Sequence, residues 1–235
     1  MIEIIENYWQ FYLVGQYPHG PIGGVAGTLL LSVLSIILCF PIGLMLALCQ
    51  TSQFKKLRLI TSYMSALMRS VPLVMLIFWV YFLLPKFTGF SISGFTTMLV
   101  TLTIFQGAYM GEVIKAGINA LPPGQYEASR AIGLTYWQTQ TTVILPQVIY
   151  NMAPSIISQL VAIIKDTSLG YIINVHELTY AGNQVNSSVM VKPLEVFAIT
   201  SILYFTVCFS LSSLARYVER RVTNRRGATQ LASKL

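Results

Sequence analysis

Five stretches of this chain, at about 25–49, 59–84, 95–118, 144–164 and 195–215, are apolar and long enough to cross a bilayer, with no room between them for a soluble domain. A bilayer core takes about 20 residues as helix. Inside it the backbone must satisfy its own hydrogen bonds, which leaves helices or closed barrels. These lengths predict an all-α, polytopic membrane protein with five transmembrane helices. It forms a single domain, with a core at 24–218, a polar loop at 121–146 and a basic tail at 216–235. With 54% hydrophobic residues, 10% charged and a mean hydropathy of +0.65, the 235-residue chain cannot hide its apolar surface in an ordinary soluble core. The opening MIEIIENYWQ carries Glu3 and Glu6 and no basic residue, so it lacks the pattern of a cleaved secretory signal.

The net charge of +7 could suggest nucleic acid, but the basic residues cluster beside span ends instead of interleaving with aromatics. If the 121–146 loop is cytoplasmic, then Lys55, Lys56, Arg58, Arg130, Arg216, Arg220, Arg221, Arg225, Arg226 and Lys234 lie inside, and Lys86 and Lys192 outside. That bias obeys the positive-inside rule. An odd number of crossings then puts the N-terminus outside, with Tyr8, Trp9, Phe11 and Tyr12 at headgroup level, and the RYVERRVTNRR run on the inner leaflet as a topology anchor. Cys39, Cys49 and Cys208 have no pairing or ligand spacing and are far from His19 and His176, so they read as packing residues with no metal site. There is no phosphate-binding G-x-x-x-x-G-K-[ST], nucleophile elbow or dinucleotide fingerprint. The chain reads as neither an enzyme nor a user of ATP.

The polar loop reads LPPGQYEASRAIGLTYWQTQTTVILPQ. Pro122 and Pro123 suit the start of a helix, where a proline loses no intrahelical bond, and Gly133 suits its end. The intervening 124–132 predicts a short helix whose Ala128, Ser129 and Ala131 allow close approach of another surface. So short a helix is unstable alone, so it needs a partner or the helices behind it.

Several motifs, in order, make the chain resemble the permease subunits of bacterial ABC importers for polar amino acids, the group covering histidine, glutamate, glutamine, arginine and opines. GGVAGTLLLSVLS resembles the first core span of these permeases, MRSVPLVMLIFWVYF the second and AYMGEVIKAGI the third. LPPGQYEASRAIG…ILPQ resembles their "EAA" coupling loop, and IIKDTSLGYIINVHEL the stretch after the fourth span. Ser129 stands where the family usually has alanine, and Val143 where it prefers isoleucine. The resemblance implies the type I importer permease fold in a bacterial inner membrane. It implies a second permease subunit, identical or similar, a pair of ATPase subunits that hold ATP and magnesium, and a soluble amino-acid-binding protein outside. Glu127, Ala128, Ser129, Gly133, Leu145 and Pro146 would form the coupling element. RSVPLVMLIFWVYFLLPKF and LTYWQTQ look most like glutamate and aspartate permeases.

Charges inside spans normally face a partner or a wet cavity. Arg69, just before Val71-Pro72, and Glu112 are the candidates; the bland alternatives are snorkelling of Arg69 and a Glu112–Lys115 pair on one helix face. Gly107 and Gly111 form a small-xxx-small packing site. By resemblance Lys165, Asp166, Thr167 and Ser168 line the passage. A dipolar cargo then finds Arg69 and Lys165 for its carboxylate, and Glu112 and Asp166 for its ammonium. Rival readings are an ion-coupled secondary carrier, which should show internal repeats, and a non-transporting scaffold that recruits an ATPase.

Overall fold

A computed structural model describes residues 1–232 and the side chains through Thr223. Arg225, Arg226 and Lys234, expected on the inner face, lie outside the described side chains. The helices are α1 (Ile2–Val14), α2 (Gly24–Gln50), α3 (Lys55–Ser70), α4 (Leu73–Phe78), α5 (Leu84–Thr88), α6 (Gly94–Asn119), α7 (Gly124–Ala131), α8 (Tyr136–Gln138), α9 (Leu145–Asp166), α10 (Leu178–Val189) and α11 (Pro193–Ala232). One π-helical turn, Trp79–Leu83, joins α4 to α5; another, Thr139–Ile144, joins α8 to α9; and a 3-10 stretch, Thr167–Ile173, follows α9.

Four segments are long and apolar enough to span a membrane: Gly24–Gln50, Gly94–Asn119, Tyr136–Ile173 and Pro193–Thr223. The stretch expected as one span at 59–84 is instead two helical pieces, Lys55–Ser70 and Leu73–Thr88, bent by 95°. The cause is local. Pro72 clashes with a helical predecessor, so Val71 is extended at φ −91°, ψ 133° and α3 must stop. Counted together, the bent pair makes a fifth, broken span. The fourth apolar segment is also longer than expected, because the chain is already helical from Tyr136 and stays helical past Lys165.

The core is built around α6, two-thirds of whose most apolar window is buried. Leu31 and Cys39 of α2, Met98, Leu102 and Ile114 of α6, and Ile163 of α9 form one continuous cluster. Small residues set how closely α2 and α6 approach. A β-carbon at Gly43 would lie 2.6 Å from the Met110 side chain and 2.9 Å from the Gly111 nitrogen; one at Gly107 would lie 2.9 Å from Ile42. Gly107 and Gly111 are therefore packing residues facing α2. Backbone cannot rotate away, so Gly43→Leu should cost at least the ~1–3 kcal/mol of ordinary overpacking. Its membrane-inserted yield and detergent melting temperature should fall, whereas Gly124→Ala, whose β-carbon meets nothing within 4 Å, should leave both unchanged.

A smaller cluster joins Ile4 and Tyr12 of α1 to Leu178 and Val185 of α10 and Val196 and Ile199 of α11. Tyr12 is 2% exposed, so it belongs to this core and not to an interfacial belt; Trp9, at 56%, remains outward. The N-terminal amine meets Glu195, and Lys192 meets Glu3 at 3.2 Å, fastening α1 to the start of α11. Cys39 is buried and Cys49 and Cys208 half-buried, all three as free thiols.

Candidate functional site: a loop helix and a cationic groove

The polar loop folds as its punctuation predicts. Pro123 precedes the first turn of α7, and Gly133 closes it at φ +83°. The Leu134 N–H donates to the Ser129 carbonyl at 3.1 Å and the Gly133 N–H to that of Arg130 at 3.0 Å. That is the Schellman arrangement, which places a left-handed residue after the helix. The Thr135 hydroxyl accepts from the Gln138 N–H while the Gln138 side chain accepts from the Thr135 N–H, a capping box that starts the next helix at once.

The two faces of α7 differ. Ser129 is 4% exposed and donates to the Gln125 carbonyl at 2.7 Å, so it packs inward instead of meeting another protein as the sequence suggested. Gln140 donates to the Tyr126 hydroxyl at 2.9 Å and Gln147 to the Gln125 side chain at 3.2 Å, joining α7 to the π-turn and the foot of α9. Leu145 is buried in the core; Pro146 directly follows the π-turn Thr139–Ile144, inside the continuous helical segment that begins at Tyr136. The opposite face leaves Glu127, Ala128, Arg130, Ala131 and Gly133 exposed. Beside them Ile132 is 78% and Trp137 64% exposed. Sequence reasoning passed over these two residues. Their signal was large apolar side chains within the polar loop, Trp137 at the very start of the apolar segment Tyr136–Ile173, which marks a contact surface when such residues cluster.

The six residues assigned to a passage fall into four places. Arg69 and Glu112 meet at 3.3 Å between α3 and α6, and Lys115 meets the other Glu112 oxygen at 3.4 Å. The Arg69 guanidinium lies 5.8 Å from the Tyr109 ring centre. Glu112 thus serves two cations at once, and the triad pins the end of α3 to α6. Asp166 turns toward α6, where the Gln106 amide donates to it at 2.5 Å. Gln159, two helical turns earlier on α9, donates to the Gln106 carbonyl oxygen, which fixes that amide with its NH₂ toward Asp166. Gln106 and Gln159 escaped the sequence reading, although an amide in mid-span is costly unless satisfied. The Thr167 hydroxyl is buried on the Ile164 carbonyl at 2.7 Å.

Lys165, next to Asp166 in sequence, points the other way. With Ser168 it lines a groove of about 460 Å³ between α9 and α11, completed by Tyr204, Cys208, Ser212 and Arg216 among others. The Ser168 hydroxyl is spent on the Lys165 carbonyl at 2.6 Å. Arg216 bonds only the Ser213 hydroxyl, at 2.9 Å, and lies 5.7 Å from the Phe209 ring centre. Neither Lys165 nor Arg216 has a carboxylate partner among the described residues, and no acid lines the groove. Two unneutralised cations beside apolar walls attract anionic groups. No cluster of metal-ligating side chains occurs among the described residues.

The bundle of apolar helices thus carries an exposed loop helix at the foot of α9 and a cationic groove at the other end of that helix. Residues 39–224 match the family of binding-protein-dependent transport system inner membrane components. The chain belongs to this family and is a membrane transport component, not an enzyme. It is 34% identical over 218 residues to the inner membrane amino-acid ABC transporter permease protein YhdY of Escherichia coli, covering 91% of this chain but only 59% of that longer relative. It is 32% identical to the arginine transport system permease protein ArtQ of Bacillus subtilis, over 85% of this chain and 90% of that one. To the glutamate transport system permease protein GluD of Corynebacterium glutamicum it is 31% identical, over 99% and 86%. Among solved structures, an amino acid ABC transporter crystallised with histidines superposes with a TM-score of 0.76 at 32% identity, covering 84% of this chain and 92% of that one. The MetNI methionine transporter gives 0.65 at 23%, a likeness of fold. The fold is that of ABC importer permeases.

Proposed function

We propose that this chain forms half of the passage of an ATP-driven amino-acid importer, with acidic amino acids, glutamate and aspartate, as its preferred cargo. The observation that carries the cargo is the groove between α9 and α11, which holds Lys165 and Arg216 and no acid. Glutamate has two carboxylates and one ammonium, so it needs more cationic than anionic partners. Asp166 turns away from the groove onto Gln106, so the side chains lining the groove offer the ammonium hydroxyl oxygens, such as that of Ser212, and no carboxylate. The glutamate permease GluD is similar over nearly the whole chain, and the arginine permease ArtQ to the same degree of identity, so family likeness alone leaves the cargo open.

Drive comes from a partner. The exposed Glu127, Ala128, Ile132 and Trp137 suit a groove on an ATPase subunit, which would hold ATP and magnesium. A second permease, identical or similar, would cover the open sides of α9 and α11, and a soluble binding protein would deliver cargo from outside. The N-terminus lies outside, so the loop helix and the basic start of α3 share the cytoplasmic side of a bacterial inner membrane. A gradient-driven carrier and a non-transporting scaffold both fit less well, since the family match is to binding-protein-dependent transport.

The test is uptake of labelled glutamate by the complete transporter in vesicles, with unlabelled competitors. Aspartate is expected to compete and arginine, glutamine and histidine to compete at least tenfold more weakly, a difference of about 1.4 kcal/mol. Stronger competition by arginine than by aspartate would overturn the acidic assignment, and ATP-independent uptake would overturn the importer.

A further inference from the structure

One fully buried carboxylate has no part in the reading above. Glu177, at 0% exposure, begins α10 and accepts the N–H groups of Thr179 and Tyr180, both at 2.8 Å. The oxygen bonded to Thr179 also accepts the Tyr204 hydroxyl of α11 at 2.6 Å. That hydroxyl lies 3.1 Å from the Thr179 side chain as well. Next in the chain, the Leu178 N–H donates to the Thr28 hydroxyl of α2 at 3.0 Å, so three helices converge here. No basic side chain reaches Glu177 within ion-pair distance among the described residues. Burial pushes its carboxyl up to about 7 against the pull of these hydrogen bonds.

A helix cap alone does not account for Glu177. Caps are ordinarily short polar side chains near the surface, and burying a charge costs more than a cap returns. What the burial adds is a fixed Tyr204. The ring of Tyr204 belongs to the wall of the α9–α11 groove, beside Lys165 and Cys208. We infer that Glu177 is a positioning residue for transport, whose carboxylate locks the Tyr204 hydroxyl to α10 and thereby holds the groove wall in its cargo-binding shape. This rests on the groove being the passage. Removing one partner of a buried hydrogen bond leaves the other unsatisfied at a cost of about 1–3 kcal/mol, so releasing Tyr204 should show in the affinity for cargo.

The experiment uses the complete transporter and labelled L-glutamate, comparing wild type with Glu177→Gln, Tyr204→Phe and the double variant. Each single variant is expected to raise KM about tenfold at unchanged membrane abundance. Because both remove the same bond, the double variant should be no worse than the weaker single. Multiplying KM increases, or a KM unchanged in Tyr204→Phe, would overturn the inference. Should Glu177→Gln fail to accumulate, Tyr204→Phe alone decides, since it leaves the α10 cap intact. In parallel, alkylation of the native Cys208 thiol is followed by mass spectrometry with and without glutamate. Protection by glutamate supports the groove; protection combined with multiplying KM increases removes Glu177 while the groove stands. No protection overturns the groove and the role of Glu177 with it.

Discussion

Gly133→Val is expected to stop uptake while leaving the protein in the membrane. Gly133 sits at φ +83°, where a β-branched residue is strained by about 1–3 kcal/mol. Yet a β-carbon there meets nothing within 4 Å, so the core and the spans are untouched. The strain falls on the closure of α7, whose eight residues are too few to hold a helix by themselves. Losing the bonds from Gly133 to Arg130 and from Leu134 to Ser129 would fray the face that carries Glu127 and Ala128, and with it the adjoining Ile132. Uptake should drop more than tenfold with normal membrane abundance, and Gly133→Asn, which tolerates the left-handed region, should retain most of it. Normal uptake by the valine variant would remove α7 from the coupling path.

The second large effect is at Glu127, and it acts through the surface instead of the backbone. Glu127 is exposed in the first turn of α7 and has no side-chain partner among the described residues. Reversal to arginine therefore costs the isolated chain only the loss of a favourable helix-terminus charge, about 0.3–1 kcal/mol. At a protein interface the same reversal costs several kcal/mol. Glu127→Arg is expected to abolish uptake and co-purification of the ATPase while the melting temperature of the permease alone barely moves. Trp137→Ala, which removes a large exposed apolar anchor, should weaken co-purification in the same way. Retention of the ATPase by both variants would place its docking surface elsewhere.

Much of this molecule could be read along the chain. The spans at 25–49, 95–118 and 195–215 were legible because lipid demands long unbroken apolar helix, and that demand is local in sequence. The α7 helix was legible because Pro122-Pro123 and Gly133 act through their own backbone angles. The Gly107–Gly111 pair announced a close helix approach, which Gly43 of α2 completes. The stretch 59–84 was legible as an apolar run long enough to count as a span, but hydropathy counts residues and is blind to direction. Only the extended Val71 ahead of Pro72 turns one apolar run into two helices at 95°.

Side-chain direction was the other thing out of reach. Lys165 and Asp166 are neighbours in sequence, and on a helix neighbours point about 100° apart. One therefore lines the α9–α11 groove while the other meets Gln106 across α6. Arg69 and Glu112, 43 positions apart, are brought to 3.3 Å by the packing of α3 on α6.

The amino-acid sequence by itself determined that the chain is helical, lies in a membrane and turns at Gly133, because each of these follows from the chemistry of residues near one another along the chain. Tertiary structure alone decided which charges neutralise each other, which face of α7 stays free, and that Glu177 holds Tyr204. Those outcomes depend on distances between residues far apart in sequence, and such distances exist only once the helices have packed.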